Sequence, residues 1–341
     1  MEGSIQDILK LLKNLLPSFL QHVFNIHYQY LEMKQLKNNL PHNSMIIRID
    51  YSENYVLKYH KEIQSAHFGA SQKQISLHTG IMYYKDGLKN NITENYHAVK
   101  SISFCTTSEN LDHRAYATWA HLTPILKLIM KQFPYIDTLH FQSDGPTAQY
   151  KNRINFYLFV NLLPKLFPKI VNATWNFSES GHGKGPMDGI GGTIKRTADS
   201  LVRHGKDLET INAFVRSLQE ITPGVKLIEI PSSAIEGIKN KLPSTIPAIP
   251  RVMKMHQVTW SANYPLTLRL RELSCFKCNP SSKCMHHTMQ TKDSIVYSSG
   301  KILSADKEEN DKMHQMVSVD PGNIATGDWI TVIYNDVWYP G

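Results

Sequence analysis

The stretch NATWNFSESGHGKGPMDGIGGTIKR, residues 172–196, decides how the chain is interpreted, because it joins a strand, a loop and a helix start. Residues 172–178 predict a strand. Pro186 suits the first turn of a helix, so a helix is predicted over 186–204. Six glycines fall within residues 181–192, which is too many for a simple turn. Glycines in this number let the backbone approach a ligand closely.

Ahead of this stretch the chain alternates between strand-like and helix-like segments. Three runs predict a β-meander, and two later helices flank a short strand. In order, the predictions are the strands Met45–Ile49, Gln74–Tyr84 and His97–Cys105, a helix over Arg114–Gln132, the strand Thr138–Gln142, and a helix over Ile154–Phe167 that Pro164 bends or ends. The order β-β-β-α-β-α-β-α predicts the α/β class, an α+β mixed sheet with helices on both faces.

The segments outside this alternation predict separate parts. Apolar residues at helical spacing over 4–20 predict an amphipathic helix that packs on the next domain or on a segment beyond this chain, with a membrane-surface helix as the alternative. Three prolines after Leu242 predict an extended linker. The expected parts are a helical arm (1–40), a core (41–241), a linker with a Cys/His-containing β segment (242–303), and a charged loop with a partial SH3/Tudor-like β-hairpin turning at Asn335 and Asp336 (304–341).

Composition narrows the class of function. The 341 residues include 37 Lys and Arg against 29 Asp and Glu, and this net charge of +8 suits a nucleic-acid partner. A hydrophobic content of 41% excludes a wholly disordered chain, and no apolar run reaches the roughly 18 residues of a membrane-spanning helix. Three of the four cysteines lie within ten residues, which argues against a disulfide scaffold and for an intracellular protein.

Residues 179–185, between the predicted strand and helix, form what we call the glycine-rich loop. This loop does not match the common nucleotide-binding motifs. A P-loop needs Gly-Lys followed by Ser or Thr, whereas Lys184 is followed by Gly185. A dinucleotide fingerprint needs G-x-G-x-x-G directly after a strand of a βαβ unit, and here the third glycine is missing and the loop lies late in the domain. Both interpretations are therefore disfavoured.

Acidic residues stand directly after two of the predicted strands and at the start of a predicted helix. Asp50 follows the first strand, Asp144 follows the fourth, and Asp188 lies in the first turn of the helix after the fifth. Each has an ordinary alternative role, because Asp is common in turns and at helix N-termini. Ligands in open α/β sheets gather at the ends of strands, so we expect a site where these residues meet.

This arrangement, with the motifs RIDYSENY, SDGPTAQYKNR and FSESGHGKGPMDGIGGTIKR, resembles DDE/DDD transposases and transposase-derived proteins, which share a ribonuclease-H-like, integrase-like core. The resemblance covers about residues 41–205. It implies that Asp50, Asp144 and Asp188 are catalytic metal ligands. It also implies a nuclear protein whose partner is DNA and not a membrane. A homo-oligomer is possible on this resemblance.

The resemblance does not decide the third acid. Glu179 lies 179 − 144 = 35 residues after Asp144, a spacing similar to that of mariner-like transposases, and Asp188 lies 188 − 144 = 44 residues after it. Glu179 stands where the fifth strand runs into the loop, whereas Asp188 stands in a helix, where the fold would use it. Asp188 is therefore preferred, and Glu179 is the alternative third acid.

A two-metal site gives three carboxylates a chemical purpose. Two Mg²⁺ or Mn²⁺ ions about 3.5–4 Å apart can activate a water or a 3′-hydroxyl and stabilise the leaving oxygen, and such ions prefer carboxylate ligands. We predict phosphodiester cleavage or strand transfer on DNA, with a catalytically inactive DNA- or protein-binding module as the alternative. The residues expected to bind substrate, each also a common loop or solvated residue, are His182, Lys184, Lys151, Arg153, Lys195 and Arg196.

A second chemical motif lies near the C-terminus. Cys275, Cys278 and Cys284 are followed by the adjacent residues His286 and His287. Thiolates and an imidazole at such short spacing suit tetrahedral zinc, and a four-ligand site must choose between the two histidines. Reduced cysteines without metal and a disulfide are the alternatives.

Overall fold

Ten strands form one mixed sheet in the computed structural model, which describes residues 4–61, 72–85, 98–249, 251–289, 294–298, 301–303, 331–334 and 337–340. The strands of this sheet are Ser44–Val56 (β1), Gln74–Lys85 (β2), Val99–Ser108 (β3), Thr138–Ser143 (β4), Asn172–Phe177 (β5), Val225–Glu229 (β6), Gln257–Ser261 (β7), Thr267–Arg271 (β8), Ser294–Ser298 (β9) and Lys301–Leu303 (β10). A separate hairpin pairs Thr331–Tyr334 (β11) with Val337–Pro340 (β12).

Seven α-helices occur in the described residues. They are Ile5–Asn38 (α1), Ala115–Gln132 (α2), Arg153–Asn161 (α3), Leu163–Leu166 (α4), Pro186–Arg203 (α5), Ile211–Ile221 (α6) and Ser232–Lys239 (α7), and a short 3-10 helix covers Val252–Lys254. The strands and helices predicted between residues 45 and 204 are confirmed, and the helix predicted over 154–167 is divided into α3 and α4 next to Pro164.

The strand order across the sheet is β10-β9-β8-β7-β5-β4-β1-β2-β3-β6. Within it β1, β2 and β3 run antiparallel, whereas β1, β4 and β5 run parallel. The carboxyl ends of β1, β4 and β5 therefore meet at one edge of the sheet, which positions the site described below. The expected mixed α/β architecture is confirmed.

Side chains of β1 alternate between two apolar cores on opposite faces of the sheet. Ile47 and Ile49 pack with α2, α3 and α7 in one core, and Ile46 packs in the other with α5, α6 and the second half of α1. Because the period is two residues, Arg48 and Asp50 lie on the same face as Ile46. This face carries the candidate site.

The part of the chain after residue 204 contains elements that sequence patterns do not predict. The helices α6 and α7 and the strand β6 are additions, and β6 pairs in parallel with β3. The segment 242–249, predicted as a linker, has no regular structure, and Ile246 and Ile249 are buried. After the short 3-10 helix, β7 pairs antiparallel with β5, so the Cys/His-containing segment continues the central sheet.

The helix α1 has two different halves. Its second half is packed, with Gln29, Met33 and Leu36 buried, whereas apolar residues of the first half such as Leu9 and Phe19 are exposed. None of the described helices combines the length and hydropathy needed to cross a membrane. The predicted charged loop at 304–312 and the hairpin turn residues Asn335 and Asp336 lie outside the described residues.

Candidate functional site

A cleft of about 420 Å³ opens at the edge where β1, β4 and β5 end. Its lining includes Asp50 from β1, Asp144 directly after β4, and Glu179 with residues of the glycine-rich loop. Asp50 pairs with Thr79 of β2 in the sheet register, so its backbone is held rigidly. We call this cavity the acid cleft.

Two carboxyl groups at the acid cleft, those of Asp50 and Asp144, have raised pKa values. Burial, followed by repulsion from Asp144 and Asp188, raises the pKa of Asp50 to about 7. Burial, with a further contribution from Asp188, raises the pKa of Asp144 to about 6. One carboxylate oxygen of Asp144, Oδ1, is buried without a hydrogen-bond partner among the described residues. Carboxylates in this condition favour a proton or a cation between them.

Asp188 also has the ordinary role that its sequence position predicts. It is the third residue of α5, and its Oδ2 accepts a hydrogen bond from the backbone N–H of Gly185 at 2.7 Å. This bond caps the helix and places a negative charge at the positive end of the helix dipole. The side chain is exposed, yet it lies close enough to raise the pKa of Asp50 and of Asp144.

Glu179 is held by two histidines. His22 Nδ1 lies 3.1 Å from Oε1, and His256 Nε2 lies 2.8 Å from Oε2. The Nδ1 of His256 faces the carbonyl oxygen of Glu272, so both of its ring nitrogens lie beside acceptors. Although burial acts to raise the pKa of Glu179, hydrogen bonds from His256, Asn25 and His22 bring it to about 2.

Sequence patterns gave no sign of the two histidines. His22 is 157 residues from Glu179 along the chain, and His256 is 77 residues away. His22 lies in α1 and His256 directly precedes β7, so Glu179 connects these two elements to the end of β5. No short motif could have found this arrangement.

The glycine-rich loop packs directly on the side chains of the site. A Cβ added to Gly183 would lie 2.5 Å from the Cβ of Asp144, and one added to Gly185 would lie 2.9 Å from the guanidinium of Arg48. Gly181 has φ +77°, which favours glycine. These glycines therefore allow the loop to close against Asp144 and Arg48.

Two of the residues expected to bind substrate lie at the acid cleft. Lys184 lines it and is exposed. Lys151 also lines it but is buried, its ammonium donates to the carbonyl of Met253 at 3.1 Å, and burial lowers its pKa to about 8. Lys151 therefore connects the cleft to the Met253 backbone and helps to hold its wall in place.

The other four are directed elsewhere. The ring of His182 packs 5.5 Å from that of His22, and Arg153 donates to the carbonyl of Ile246 at 2.9 Å. Lys195 pairs with an exposed glutamate at 3.4 Å. Arg196 lines a separate cavity of about 580 Å³ with Lys58, Asp199 and Arg203.

The cysteine cluster has the geometry of a metal centre. Cys275, Cys278, Cys284 and His286 each bring one ligand atom to within 4.8 Å of the others. Bonds of about 2.0–2.3 Å to zinc require ligand atoms about this close, so the three sulfurs and one nitrogen suit a structural zinc site. His287 is turned away, because its Nε2 lies 2.7 Å from the hydroxyl of Tyr28 in α1.

Local contacts prepare the cluster and join it to α1. Burial acts to raise the pKa of Cys278, but hydrogen bonds from the Met285 backbone and from His286 lower it to about 7, which favours the thiolate. Gln29 of α1 donates to the Ser274 hydroxyl at 3.0 Å and accepts from the Ser274 N–H at 2.8 Å. The cluster therefore lies beside the contacts that hold α1 in place.

Comparison with protein families gives a match over most of the chain. The sequence matches the family described as Domain of unknown function (DUF8701) over residues 29–273. This range contains Asp50, Asp144, Glu179 and Asp188 and stops before the cysteine cluster. No curated protein and no solved structure matches the chain.

Proposed function

The chain belongs to the DUF8701 family, and from its own site we propose that it is a transposase- or integrase-like nuclease core that acts on DNA phosphodiesters with two divalent metal ions. The observation that carries this proposal is the meeting of Asp50, Asp144 and Asp188 at one edge of the sheet. Burial raises the pKa of both Asp50 and Asp144, and repulsion from Asp188 adds to both. A bound Mg²⁺ or Mn²⁺ would offset both the burial of these carboxylates and their repulsion.

The sheet topology supports a ribonuclease-H-like core. The strands β3-β2-β1-β4-β5 lie side by side in this order, antiparallel for the first three and parallel from β1 onwards. This order resembles that of ribonuclease-H-like proteins, in which the acids come from the first strand, the fourth strand and the last helix. Asp50, Asp144 and Asp188 occupy the corresponding positions.

Each residue then has a role in the proposed reaction. Bound Mg²⁺ or Mn²⁺ would supply the Lewis acid that activates a water or a 3′-hydroxyl and stabilises the leaving oxygen. Asp50 and Asp144 would be metal ligands. The capping bond of Asp188 uses Oδ2, so its Oδ1 can serve as a further ligand. Glu179 is less suited, because His22 and His256 already occupy its two oxygens.

Plasmid nicking and strand transfer with Mg²⁺ or Mn²⁺ test the catalytic claim. Asp144→Asn removes a metal ligand and should lower the rate at least 100-fold, whereas Glu220→Gln, on the exposed surface of α6, should leave it unchanged. An absence of metal-dependent cleavage, or equal rates for the two variants, would refute the proposal. DNA binding without cleavage would identify the protein as an inactive binding module.

The third acid is tested by the same assay. Asp188→Asn should abolish Mn²⁺-dependent cleavage with little loss of stability. Glu179→Gln should act mainly on stability, since it breaks the contacts of His22 and His256. Melting temperatures separate the two effects. Cleavage lost in a fully folded Glu179→Gln variant and retained in Asp188→Asn would reverse the assignment.

A further inference from the structure

A second cleft lies next to the acid cleft. Its volume is about 720 Å³, and it runs between residues 26–38 of α1 and the ends of β1, β2 and β4. Ser178, Glu179 and Lys184 line both cavities, so the two are adjacent. We call this second cleft the α1 groove.

The charge of the α1 groove is positive. Lys34 and Lys37 come from α1, Arg48 comes from β1, and Lys184 comes from the glycine-rich loop. The carboxylate in its lining, Glu179, is already bonded to two histidines. A groove with this balance attracts an extended anion.

Arg48 is the residue that most clearly lacks an anion. Its guanidinium is largely buried against the loop at Gly185, and its Nε is buried without a hydrogen-bond partner among the described residues. The groups that interact with its guanidinium are the hydroxyls of Tyr83 and Tyr30 rather than a carboxylate. A buried cation without an opposite charge is costly, and a phosphate fits the fork of a guanidinium.

Aromatic side chains lie among these cations. Tyr30 is 64% exposed and lines the α1 groove with the Lys34 ammonium 6.0 Å from its ring centroid. Tyr83 also lines it, with the ammonium of Lys37 3.8 Å from its ring centroid. Tyr83 is buried, so Tyr30 is the ring on which a base can stack. An exposed ring beside cations that follow the backbone is typical of proteins that bind single-stranded nucleic acid.

We propose that the α1 groove binds the phosphodiester backbone of a single nucleic-acid strand, with Arg48 on one phosphate, and leads the strand into the acid cleft. Arg48 and Asp50 are two residues apart on one face of β1, so a phosphate on Arg48 lies one step from the acids. That the strand leads into the acid cleft rests on the proposed nuclease function. Binding of the strand in the α1 groove does not depend on that function.

Salt-dependent binding of a labelled 20-nucleotide single-stranded DNA, without added Mg²⁺ or Mn²⁺, tests the proposal on the full chain. The groove variant is Lys34→Gln/Lys37→Gln/Arg48→Gln. The control removes three exposed charges from the opposite side of the sheet and is Lys131→Gln/Lys165→Gln/Lys169→Gln. Loss of three phosphate contacts should reduce the slope of log K against log salt by about 2, which weakens binding about 100-fold at 0.1 M salt. The control should keep the wild-type slope.

Equal losses in both variants would overturn the proposal, and so would equally salt-dependent binding of a polyglutamate of the same charge. If the triple groove variant fails to fold, Lys34→Gln/Lys37→Gln, which leaves Arg48 in place, should still reduce the slope by about 1.4. An unchanged slope there would overturn it. The two claims fail separately. Groove-dependent binding by a wild-type protein that shows no metal-dependent cleavage refutes only the nuclease. Cleavage that Asp144→Asn abolishes, with slopes unchanged in the groove variants, refutes only the groove.

Discussion

Replacing Asp144 with Asn should stabilise the metal-free protein at neutral pH while it abolishes metal-dependent activity. The carboxylate is largely buried, its Oδ1 has no hydrogen-bond partner among the described residues, and its pKa is raised to about 6. A carboxyl whose pKa is higher in the folded state binds more protons there than in the unfolded chain between about pH 4 and 6. Its charge therefore destabilises the fold above this range, and the effect shrinks as the pH falls.

The size of the effect follows from the pKa. A rise from 3.8 to about 6 is about two units, or about 3 kcal/mol of the free energy of unfolding at neutral pH. The side chain is partly open to water, which reduces this to about 1–2 kcal/mol. At pH 4.5 the gain should be about a third of its neutral value, because the carboxyl is then protonated in the folded wild-type protein.

Urea unfolding at pH 7.5 and pH 4.5 measures this difference, with Glu220→Gln as the control that removes an exposed carboxylate. Mn²⁺ should raise the melting temperature of the wild type and of the control, but not that of Asp144→Asn. The reasoning is refuted if Asp144→Asn is less stable than the wild type at pH 7.5. It is also refuted if the gain is as large at pH 4.5 as at pH 7.5.

Three further predictions concern the loop, the cysteine cluster and a buried histidine. Gly183→Ala should strongly reduce metal-dependent cleavage, because its methyl group would lie 2.5 Å from the side chain of Asp144. Gly189→Ala, with open space around it, should keep the activity and stabilise α5 by about 1 kcal/mol. Cleavage rates and melting temperatures of the two variants check this prediction. Metal analysis should find one zinc per chain, lost in Cys284→Ser and kept in Cys105→Ala, and equal zinc in the two variants would contradict the site. Burial lowers the pKa of His121 to about 3, so below about pH 6.5 the unfolded chain binds a proton that the folded protein does not bind. The free energy of unfolding should therefore fall by up to about 1.4 kcal/mol per pH unit as the pH decreases. In urea unfolding between pH 6.5 and 4.5, His121→Gln should show a weaker dependence on pH.

Local patterns were sufficient for the strands and helices up to residue 204. Apolar periodicity in β1 and in α2 reflects the face that each buries, so the elements could be recognised without knowing their neighbours. The strand β6 shows the opposite case. It has five residues and pairs with β3, more than 100 residues earlier, so its structure depends on that partner.

The candidate sites divide in the same way. The spacing of Cys275, Cys278 and Cys284 predicts a compact cluster, but the choice of His286 required the contact between His287 and Tyr28 of α1. Several residues directed away from the acid cleft, such as Lys195 and Arg196, are close to it in sequence. Their direction depends on which side of α5 they occupy.

Periodicity and local turn and cap preferences are enough to predict the α/β class, the order of the elements and the placement of three acids after strands or at a helix start. They do not show that Asp188 raises the pKa of Asp50 and Asp144, or that Glu179 is bonded to His22 and His256, because these relations exist only in the folded protein. Electrostatic repulsion and hydrogen bonding depend on distances in space. Residues far apart in the chain acquire those distances only when the sheet and α1 come together.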